Sequence, residues 1–368
     1  MSETNAGDDR PALLFVPDIS GFAKFVSSTE VTHSRHIIEE LLEKLIDANE
    51  LGLEVSEVEG DAILFYRFGD PPDAGRFFAQ VERMFTAFHA QLRRYDMQRI
   101  CRCGACGAAS QLTLKIVAHF GAVSQSRIKQ HSKLFGADVI AVHRLLKNGI
   151  PHHEYALFTR ALGDAWAPGA VPDWAQPEAG SDEYDVGRFE YRYVALAPLL
   201  MRIPELKAED FGLLGAKLRV FALEQVVEAP MEFVFDAATD LDARTHWIAG
   251  VKRVERPARG LNRVGTRHRC VIDASSPVLV TSAIVHAEDS VSFAETDEKR
   301  MGCAVFGFHR EGDAATRVRV DFLIRDSWPV RVLFAVLLRR KLSRQLRVSL
   351  ENLARYCREQ YRLGLSAN

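Results

Sequence analysis

The chain has 368 residues, of which 47% are hydrophobic and 26% charged, with a formal net charge of −2. This composition is that of a soluble globular protein, and the length predicts two domains because single cores rarely grow beyond about 250 to 300 residues. The small net charge argues against broad binding to nucleic acid or acidic membranes. The polar N-terminus is unlike a targeting peptide, and no apolar run approaches the roughly 18 residues of a membrane span, so we expect a cytoplasmic protein.

The first half alternates strand and helix patterns. Strand patterns fall at 12–19, at 112–123 and, as two strands joined by a Glu-Gly-Asp turn, at 53–69. Amphipathic helix patterns fall at 33–49, 73–95 and 137–149, and Gly149 is a predicted C-cap of the last. The composition of residues 164–184 predicts a surface loop, and the pattern at 187–200 predicts a strand that completes the domain. This alternation indicates an α/β or α+β domain.

The second half predicts a strand, a helix begun by a proline, and then a series of strands. It ends in a long helix whose apolar residues recur every three or four positions, namely Leu342, Leu346, Leu350, Leu353 and Cys357. The longest apolar run, at 330–338, precedes this helix and is followed by Arg339, Arg340 and Lys341. The pattern predicts an antiparallel sheet that grips one long helix. We therefore expect a first domain at 11–200, a connector at 201–220 and a second domain at 221–364.

Two carboxylates mark the ends of predicted strands in the first domain. Asp18 ends the strand at 12–19, and Asp61 lies in the turn between the paired strands at 53–69. Mg²⁺ and Mn²⁺ prefer such oxygen ligands and often share them with substrate phosphates. The turn after Asp18 also begins a helix, whose free N–H groups suit a triphosphate. The alternatives are that Asp18 is a helix N-cap and Asp61 a simple turn residue.

The segments "FVPDISGF" and "EVEGDAILF" resemble the metal-binding signatures of class III nucleotidyl cyclases. "LKIVAHFGAV" and "KLFGADVIAVHRLL" are similar to two later cyclase segments, so the resemblance runs in order through residues 11–200 and indicates an uncharacterised bacterial branch of this superfamily. It implies a ferredoxin-like α/β sandwich and a head-to-tail homodimer that binds a purine nucleoside triphosphate. It further implies metal binding by Asp18 and Asp61, triphosphate contact by Arg144, and nucleotide contacts from Ile19, Ser20, Gly21 and Phe22.

Three positions depart from the cyclase pattern. Ile140 occupies the place of the asparagine that orients the ribose, and it cannot form that hydrogen bond. Glu57 and Lys133 reverse the charges of the purine-reading pair of adenylyl cyclases, which favours guanine. Alternatively, these two residues form a salt bridge across the pocket. His119 is expected to pack within the sheet, and Arg144 taken alone would be read as a solvated helix residue.

Cys101, Cys103 and Cys106 form a cluster in "CRCGAC" that can supply three tetrahedral zinc ligands. His131, His33, His36 or a partner chain would provide the fourth ligand. The alternative is a hairpin with reduced cysteines, and a catalytic nucleophile is disfavoured because no paired histidine is evident.

Residues 221–364 resemble the START-like helix-grip superfamily, which includes polyketide cyclase-type and lipid-transfer proteins. The resemblance depends on the segment 226–251 and on the long terminal helix. It implies an apolar ligand pocket, for which Trp247, Phe293, Phe306, Phe308 and Phe322 are the candidates. Core packing is the alternative for each of these residues, and the fold indicates little about function.

We therefore predict an α+β protein with two domains. The first is a cyclase-like domain that binds a purine nucleoside triphosphate with Mg²⁺ or Mn²⁺ and has weak or no cyclase activity. The second is a helix-grip domain that senses a small hydrophobic ligand. The alternatives are an active nucleotidyl cyclase, which is a phosphorus-oxygen lyase, and a zinc-stabilised interaction module without nucleotide chemistry.

Overall fold

The structure of the protein is a computed structural model that describes residues 9–27, 31–98, 104–128, 131–167, 169–205, 217–256 and 262–366. It divides into two compact units, of which the first comprises residues within 1–96 and 104–206 and the second comprises 97–103 and 207–368. No helix in the described ranges is long and apolar enough to cross a membrane. The mixture of helices with one sheet in each unit confirms the predicted α+β class.

The first unit is built on one mixed sheet. Its strands are β1 Arg10–Ser20, β2 Glu54–Glu59, β3 Ala62–Phe68, β4 Thr113–Ile128, β5 His131–Phe135, β6 Tyr155–Thr159, β7 Glu178–Tyr184 and β8 Gly187–Ala195. In the described residues their order is β2-β3-β1-β4-β6-β8-β7, with β5 paired to β4. The β4–β6 pair is parallel and the others are antiparallel. β1 is central, which explains why its apolar run is buried on both faces.

Helices cover both faces of this sheet. They are α1 Phe22–Ser27, α2 Val31–Asp47, α3 Ala74–Gln98, α4 Gly104–Ala108, α5 Ala137–Leu145 and α6 Arg160–Gly163. Phe15 of β1 meets Phe77 of α3 on one face, with ring centroids 6.0 Å apart. Leu14 and Val16 point the other way, into a cluster that includes Val142 of α5. The alternation of side chains along β1 therefore sets which helix lies on which face.

Two expectations for the first unit are wrong. α5 ends at Leu145, and Gly149 lacks the positive φ of a glycine C-cap. Asn148 replaces such a cap, because its side-chain amide donates to the Leu145 carbonyl at 2.7 Å. Residues 178–184 were expected in a loop but form β7. Their polar alternation suits an edge strand that pairs with β8 and is largely exposed.

The second unit is an antiparallel sheet with one long helix. Its strands are β9 Lys217–Val227, β10 Arg253–Glu255, β11 Arg267–Val271, β12 Leu279–His286, β13 Ser290–Asp297, β14 Gly302–Arg310 and β15 Thr316–Arg325. The described strands follow the order β10-β11-β12-β13-β14-β15-β9. Its helices are α7 Met231–Thr239, α8 Arg244–Trp247, α9 Trp328–Leu333 and α10 Arg339–Ser366, and a π-helical turn at Phe334–Leu338 joins the last two.

The core of the second unit lies between the sheet and α10. Leu350, Leu353 and Cys357 of α10 are buried in one cluster with Phe293 and Phe308 of the sheet. This arrangement confirms the predicted helix-grip fold. β9 begins at Lys217, so the last residues of the predicted connector belong to the sheet.

Candidate functional site

The backbone brings Asp18 and Asp61 to one edge of the first sheet. Asp18 lies within β1, where it pairs with Ala62 of β3 and with Lys115 of β4. Asp61 lies in the turn between β2 and β3, next to Gly60 with its positive φ of 62°. The Ile19 N–H donates to the Asp61 carbonyl at 3.0 Å, which ties the hairpin tip to the end of β1. Since Asp18 is a strand residue, it is not a helix N-cap.

Both carboxylates are costly to ionise where they lie. Burial raises the pKa of Asp18 from 3.8 to about 6, and the nearby charge of Asp61 adds to the rise although Lys115 opposes it. Burial also raises the pKa of Asp61. Two partly buried carboxylates that repel each other are poorly compensated by one lysine. This donor set therefore suits a divalent cation.

Lys115 forms an ion pair with Asp18. Its Nζ lies 3.5 Å from Asp18 Oδ1 and donates to the Leu146 carbonyl at 3.1 Å. Our sequence interpretation missed this residue. The available signal was a single lysine between Leu114 and Ile116, in a strand segment that is otherwise apolar.

A cleft of about 600 Å³ opens over the two carboxylates. It is lined by the end of β1, by the β2–β3 turn, by α1 and by the C-terminal end of α5, and all four residues predicted to contact nucleotide line it, namely Ile19, Ser20, Gly21 and Phe22. Lys24, Lys115, Arg144 and Lys147 also line it and supply positive charge. Among the described side chains, no group of three His, Cys, Asp or Glu residues is arranged to hold a metal ion.

Arg144 lines this cleft but is paired with Asp185. Its Nε and terminal nitrogen donate to the two Asp185 oxygens at 2.9 and 2.8 Å. The hydrogen bonds from Arg144 lower the pKa of Asp185. Both side chains are exposed, and such surface pairs contribute little to stability because water and salt screen their charges. An incoming phosphate can therefore compete for Arg144.

A buried polar chain holds α5 against the sheet. His119 of β4 lies 2.8 Å from the Thr159 hydroxyl through Nδ1 and 2.9 Å from Asp138 Oδ1 through Nε2. The other Asp138 oxygen accepts the Ala122 N–H at 2.7 Å. The hydrogen bond with His119 lowers the pKa of Asp138. His119 packs within the sheet as expected, and its partner Asp138 fixes the helix that carries Arg144.

Glu57 and Lys133, the predicted base-reading pair, lie beside each other. Lys133 Nζ is 3.9 Å from Glu57 Oε2, and His143 Nε2 is 3.7 Å from Glu57 Oε1. His143 lines the cleft and was not expected from the sequence, whereas Glu57 and Lys133 are not among the cleft-lining residues. Ile140 is half exposed on α5 and is not among the cleft-lining residues. The ion pair given as the alternative is thus present as a long contact, and base reading stays a prediction.

The cysteine cluster cannot be placed. Cys101 and Cys103 lie outside the described residues, and of Cys106 only the backbone in α4 is described. The zinc site stays a prediction.

Most of the aromatic residues proposed for an apolar pocket pack on one another. Trp247, Phe293, Phe306 and Phe308 are all buried in the core cluster with α10. Phe293 stacks on Phe306, with ring centroids 4.8 Å apart. These four residues therefore fill the interior in this conformation.

Phe322 belongs to a separate aromatic stack. It is half-buried and lies between Phe221 and Phe334, at centroid distances of 5.4 and 5.2 Å. A cavity of about 150 Å³ lies along β12, β13 and β14 and is lined by Phe293 but not by the other candidates.

The second unit contains a buried ionic cluster that our sequence interpretation also missed. Arg244 of α8 donates to both Glu295 oxygens at 2.9 and 2.6 Å and lies 3.1 Å from His268 Nε2. Burial opposes the charge on Glu295, but Arg244 and His268 outweigh it and lower the pKa of this carboxyl. Burial, reinforced by Arg244, lowers the pKa of His268 to about 4 although Glu295 acts the other way. The sequence signal for this cluster was Glu295. It lies two and four residues after Phe293 and Val291, so it shares the inward face of β13 with them.

Two protein families match separate parts of the chain. The family described as "Polyketide cyclase / dehydrase and lipid transport" matches residues 219–358. A family described as "Protein of unknown function (DUF2652)" matches residues 38–155. Each match covers less than half of the chain.

Solved cyclase structures are similar to half of the chain. The guanylyl cyclase Cya2 is 17% identical with a TM-score of 0.41, over 51% of this chain and 93% of that one. The adenylyl cyclase CyaB from P. aeruginosa is 14% identical with a TM-score of 0.39, over 50% and 94%. Both are cyclases, the class that the sequence motifs resemble.

One curated relative is more similar in sequence. The uncharacterized protein Rv2561/Rv2562 of Mycobacterium tuberculosis (strain ATCC 25618 / H37Rv) is 31% identical over 180 residues. The match covers 49% of this chain and 83% of that protein. The chain therefore belongs to the same family as this mycobacterial protein.

Proposed function

We propose that the first unit binds a purine nucleoside triphosphate together with Mg²⁺ or Mn²⁺ in the cleft over Asp18 and Asp61. The observation that carries the proposal is the pair of partly buried, mutually repelling carboxylates that line this cleft. Both are hard oxygen donors, and a bound divalent cation would supply the positive charge that one lysine does not.

The walls of the cleft support the phosphate part of the proposal. Lys24, Arg144 and Lys147 line it, and phosphate oxygens are strong acceptors for such cations. The described residues bring no third metal-ligating side chain to the carboxylates, so the remaining ligands of the cation would be phosphate oxygens and water. Metal and triphosphate should therefore bind together more tightly than either binds alone.

We infer that guanine is the preferred base and that turnover is weak. Glu57 can accept from guanine N1–H and N2–H while Lys133 donates to O6, and their separation of 3.9 Å leaves the two groups without a mutual hydrogen bond to break. Ile140 offers no hydrogen bond to a ribose. A head-to-tail homodimer would complete the site from two copies, as the cyclase resemblance implies.

We further propose that the second unit binds a small apolar ligand. Its support is the match to a family described by lipid transport, together with an aromatic interior between the sheet and α10. Ligand pockets usually measure about 300 Å³ or more, which exceeds the cavity of about 150 Å³ in the described part of this unit. Binding would therefore require the aromatic side chains to rearrange.

Affinity for a fluorescent GTP analogue, measured with and without Mn²⁺, tests the main proposal. In the parent protein we expect Mn²⁺ to tighten binding by about tenfold or more, because the cation links the phosphates to the carboxylates. Asp18→Asn or Asp61→Asn should abolish this enhancement, since each amide removes one of the two carboxylate ligands of the cation.

Glu59→Gln is the matched control. Glu59 lines the same cleft but is not a proposed ligand, so its replacement removes one negative charge and should leave the enhancement intact. A parent protein that gains nothing from Mn²⁺, or an enhancement that survives in Asp18→Asn, would overturn the proposal.

A further inference from the structure

The segment that leads into the long helix exposes an apolar face. In α9 and the following π-helical turn, Trp328 is 76%, Val332 45%, Val336 75% and Leu337 65% exposed. Phe334 in the same segment is buried and stacks on Phe322. A fixed helical segment therefore presents these apolar side chains outward, because Phe334 anchors its other side.

The same stretch carries charge of one sign. Residues 327–350 contain no Asp or Glu, and they contain Arg331, Arg339, Arg340, Lys341, Arg344 and Arg347. All six are exposed. Among the described residues, Arg331 pairs with Asp326, and the other five cations have no acidic side chain within ion-pair distance. Since the whole chain has a net charge of −2, this concentration of positive charge is local.

We propose that this apolar and basic surface, formed by residues 328–347, binds the surface of an anionic lipid bilayer. The apolar side chains would enter the boundary between headgroups and acyl chains while the arginines and Lys341 meet lipid phosphates. Trp328 suits this depth because its indole has an apolar body and a polar N–H.

Charge argues for a lipid surface over a second copy of the chain. In a symmetric dimer the same patch faces itself, so the six cations of one copy would face those of the other. A nucleic acid would pair with the cations but would leave the apolar face in water. An anionic bilayer offers both an apolar layer and opposite charge.

Sedimentation of the full-length protein with vesicles tests the proposal. We expect binding to phosphatidylcholine vesicles that contain about a third phosphatidylglycerol to be about tenfold stronger than binding to phosphatidylcholine alone. High salt should weaken it because salt screens the lysine and arginine charges. The variant Val336→Asp/Leu337→Asp should lose about tenfold in binding, because it places charge in the apolar layer.

Leu363→Asp is the matched control, because Leu363 is 62% exposed at the other end of α10. It should bind vesicles as the parent does. A second variant, Arg339→Gln/Arg340→Gln/Lys341→Gln, should lose the preference for anionic vesicles, and far-ultraviolet circular dichroism should show unchanged helix content in all variants. The proposal is overturned if the parent binds neither vesicle, if Val336→Asp/Leu337→Asp binds as the parent does, or if that variant merely converts a dimer into a monomer.

Discussion

At the scale of single residues, Asp18 shows a conflict between folding and binding. Its pKa of about 6 means that burial disfavours the carboxylate in the folded protein relative to the unfolded chain. Above that pH the ionised side chain therefore lowers the free energy of unfolding. An ionised side chain that lowers stability in this way is typical of a residue whose charge is needed for binding.

We expect Asp18→Asn to raise the free energy of unfolding of the metal-free first unit by about 1 to 3 kcal/mol above pH 7, because the amide carries no charge to bury. Adding Mn²⁺ with GTP should then stabilise the parent but not the variant. Thermal unfolding with and without these ligands measures both effects.

Asp138→Asn gives the contrasting control. The pKa of Asp138 is lowered by its hydrogen bond with His119, so its charge stabilises the fold and the amide should cost about 1 to 3 kcal/mol. If both variants shift stability in the same direction, the electrostatic account of Asp18 is wrong.

Motifs and hydrogen-bond partners differ in how far sequence predicts them. The nearness of Asp18 and Asp61 could be predicted because one lies near the end of a strand, the other lies in a hairpin turn, and the cyclase-like segments occur in order. Lys115, His143 and the His119–Asp138 contact could not, because they depend on which residues face each other across β1, β4 and α5. That register is set by the whole sheet, and one residue of slip would turn each side chain to the other face.

At the scale of elements, we expect the ionic cluster that joins α8, β11 and β13 to make the second unit sensitive to acid. His268 faces Arg244 and Glu295, and its pKa of about 4 lies below the ordinary 6.5. The unfolded chain therefore binds more protons than the folded one between these values. The stabilisation is complete above pH 6.5 and is lost as the pH falls towards 4.

We expect the free energy of unfolding of the second unit to fall by about 3 kcal/mol across this window, less what other groups contribute. Fluorine NMR of fluorotryptophan-labelled protein in urea can follow Trp247, which is buried beside the cluster. His268→Gln should flatten the dependence on pH because glutamine does not titrate.

His246→Gln is the control, since His246 is an exposed histidine on α8 that stacks on Tyr356. It should keep the parent's slope. A parent without acid sensitivity in this window, or a His268→Gln variant with an unchanged slope, would contradict the role given to His268.

Elements with a strong periodic pattern were predictable, and those without one were not. The apolar spacing of α3 and α10 and the buried run of β1 place them correctly. β7 could not be predicted, because its polar sequence becomes a strand only by pairing with β8 at the edge of the sheet. The end of α5 was misplaced because the Asn148 side chain, and not a glycine, satisfies the carbonyl of Leu145.

At the scale of the whole molecule, the net charge conceals how charge is distributed along the chain. The net charge of −2 argued against binding to acidic membranes, yet the six cations between 331 and 347 lie together in a stretch without acids. The division into two domains and the α+β class followed from length and from the order of elements. The zinc site at Cys101, Cys103 and Cys106 and the homodimer stay predictions.

The central claim is that Asp18 and Asp61 hold a divalent cation for a purine triphosphate. Anomalous diffraction from crystals of the protein grown with Mn²⁺ and a non-hydrolysable GTP analogue tests it most directly. The account predicts manganese peaks at about 2.2 Å from carboxylate oxygens of Asp18 and Asp61, with the triphosphate in the same cleft. Nucleotide bound in that cleft without manganese at either carboxylate, or manganese and nucleotide bound elsewhere, would contradict it.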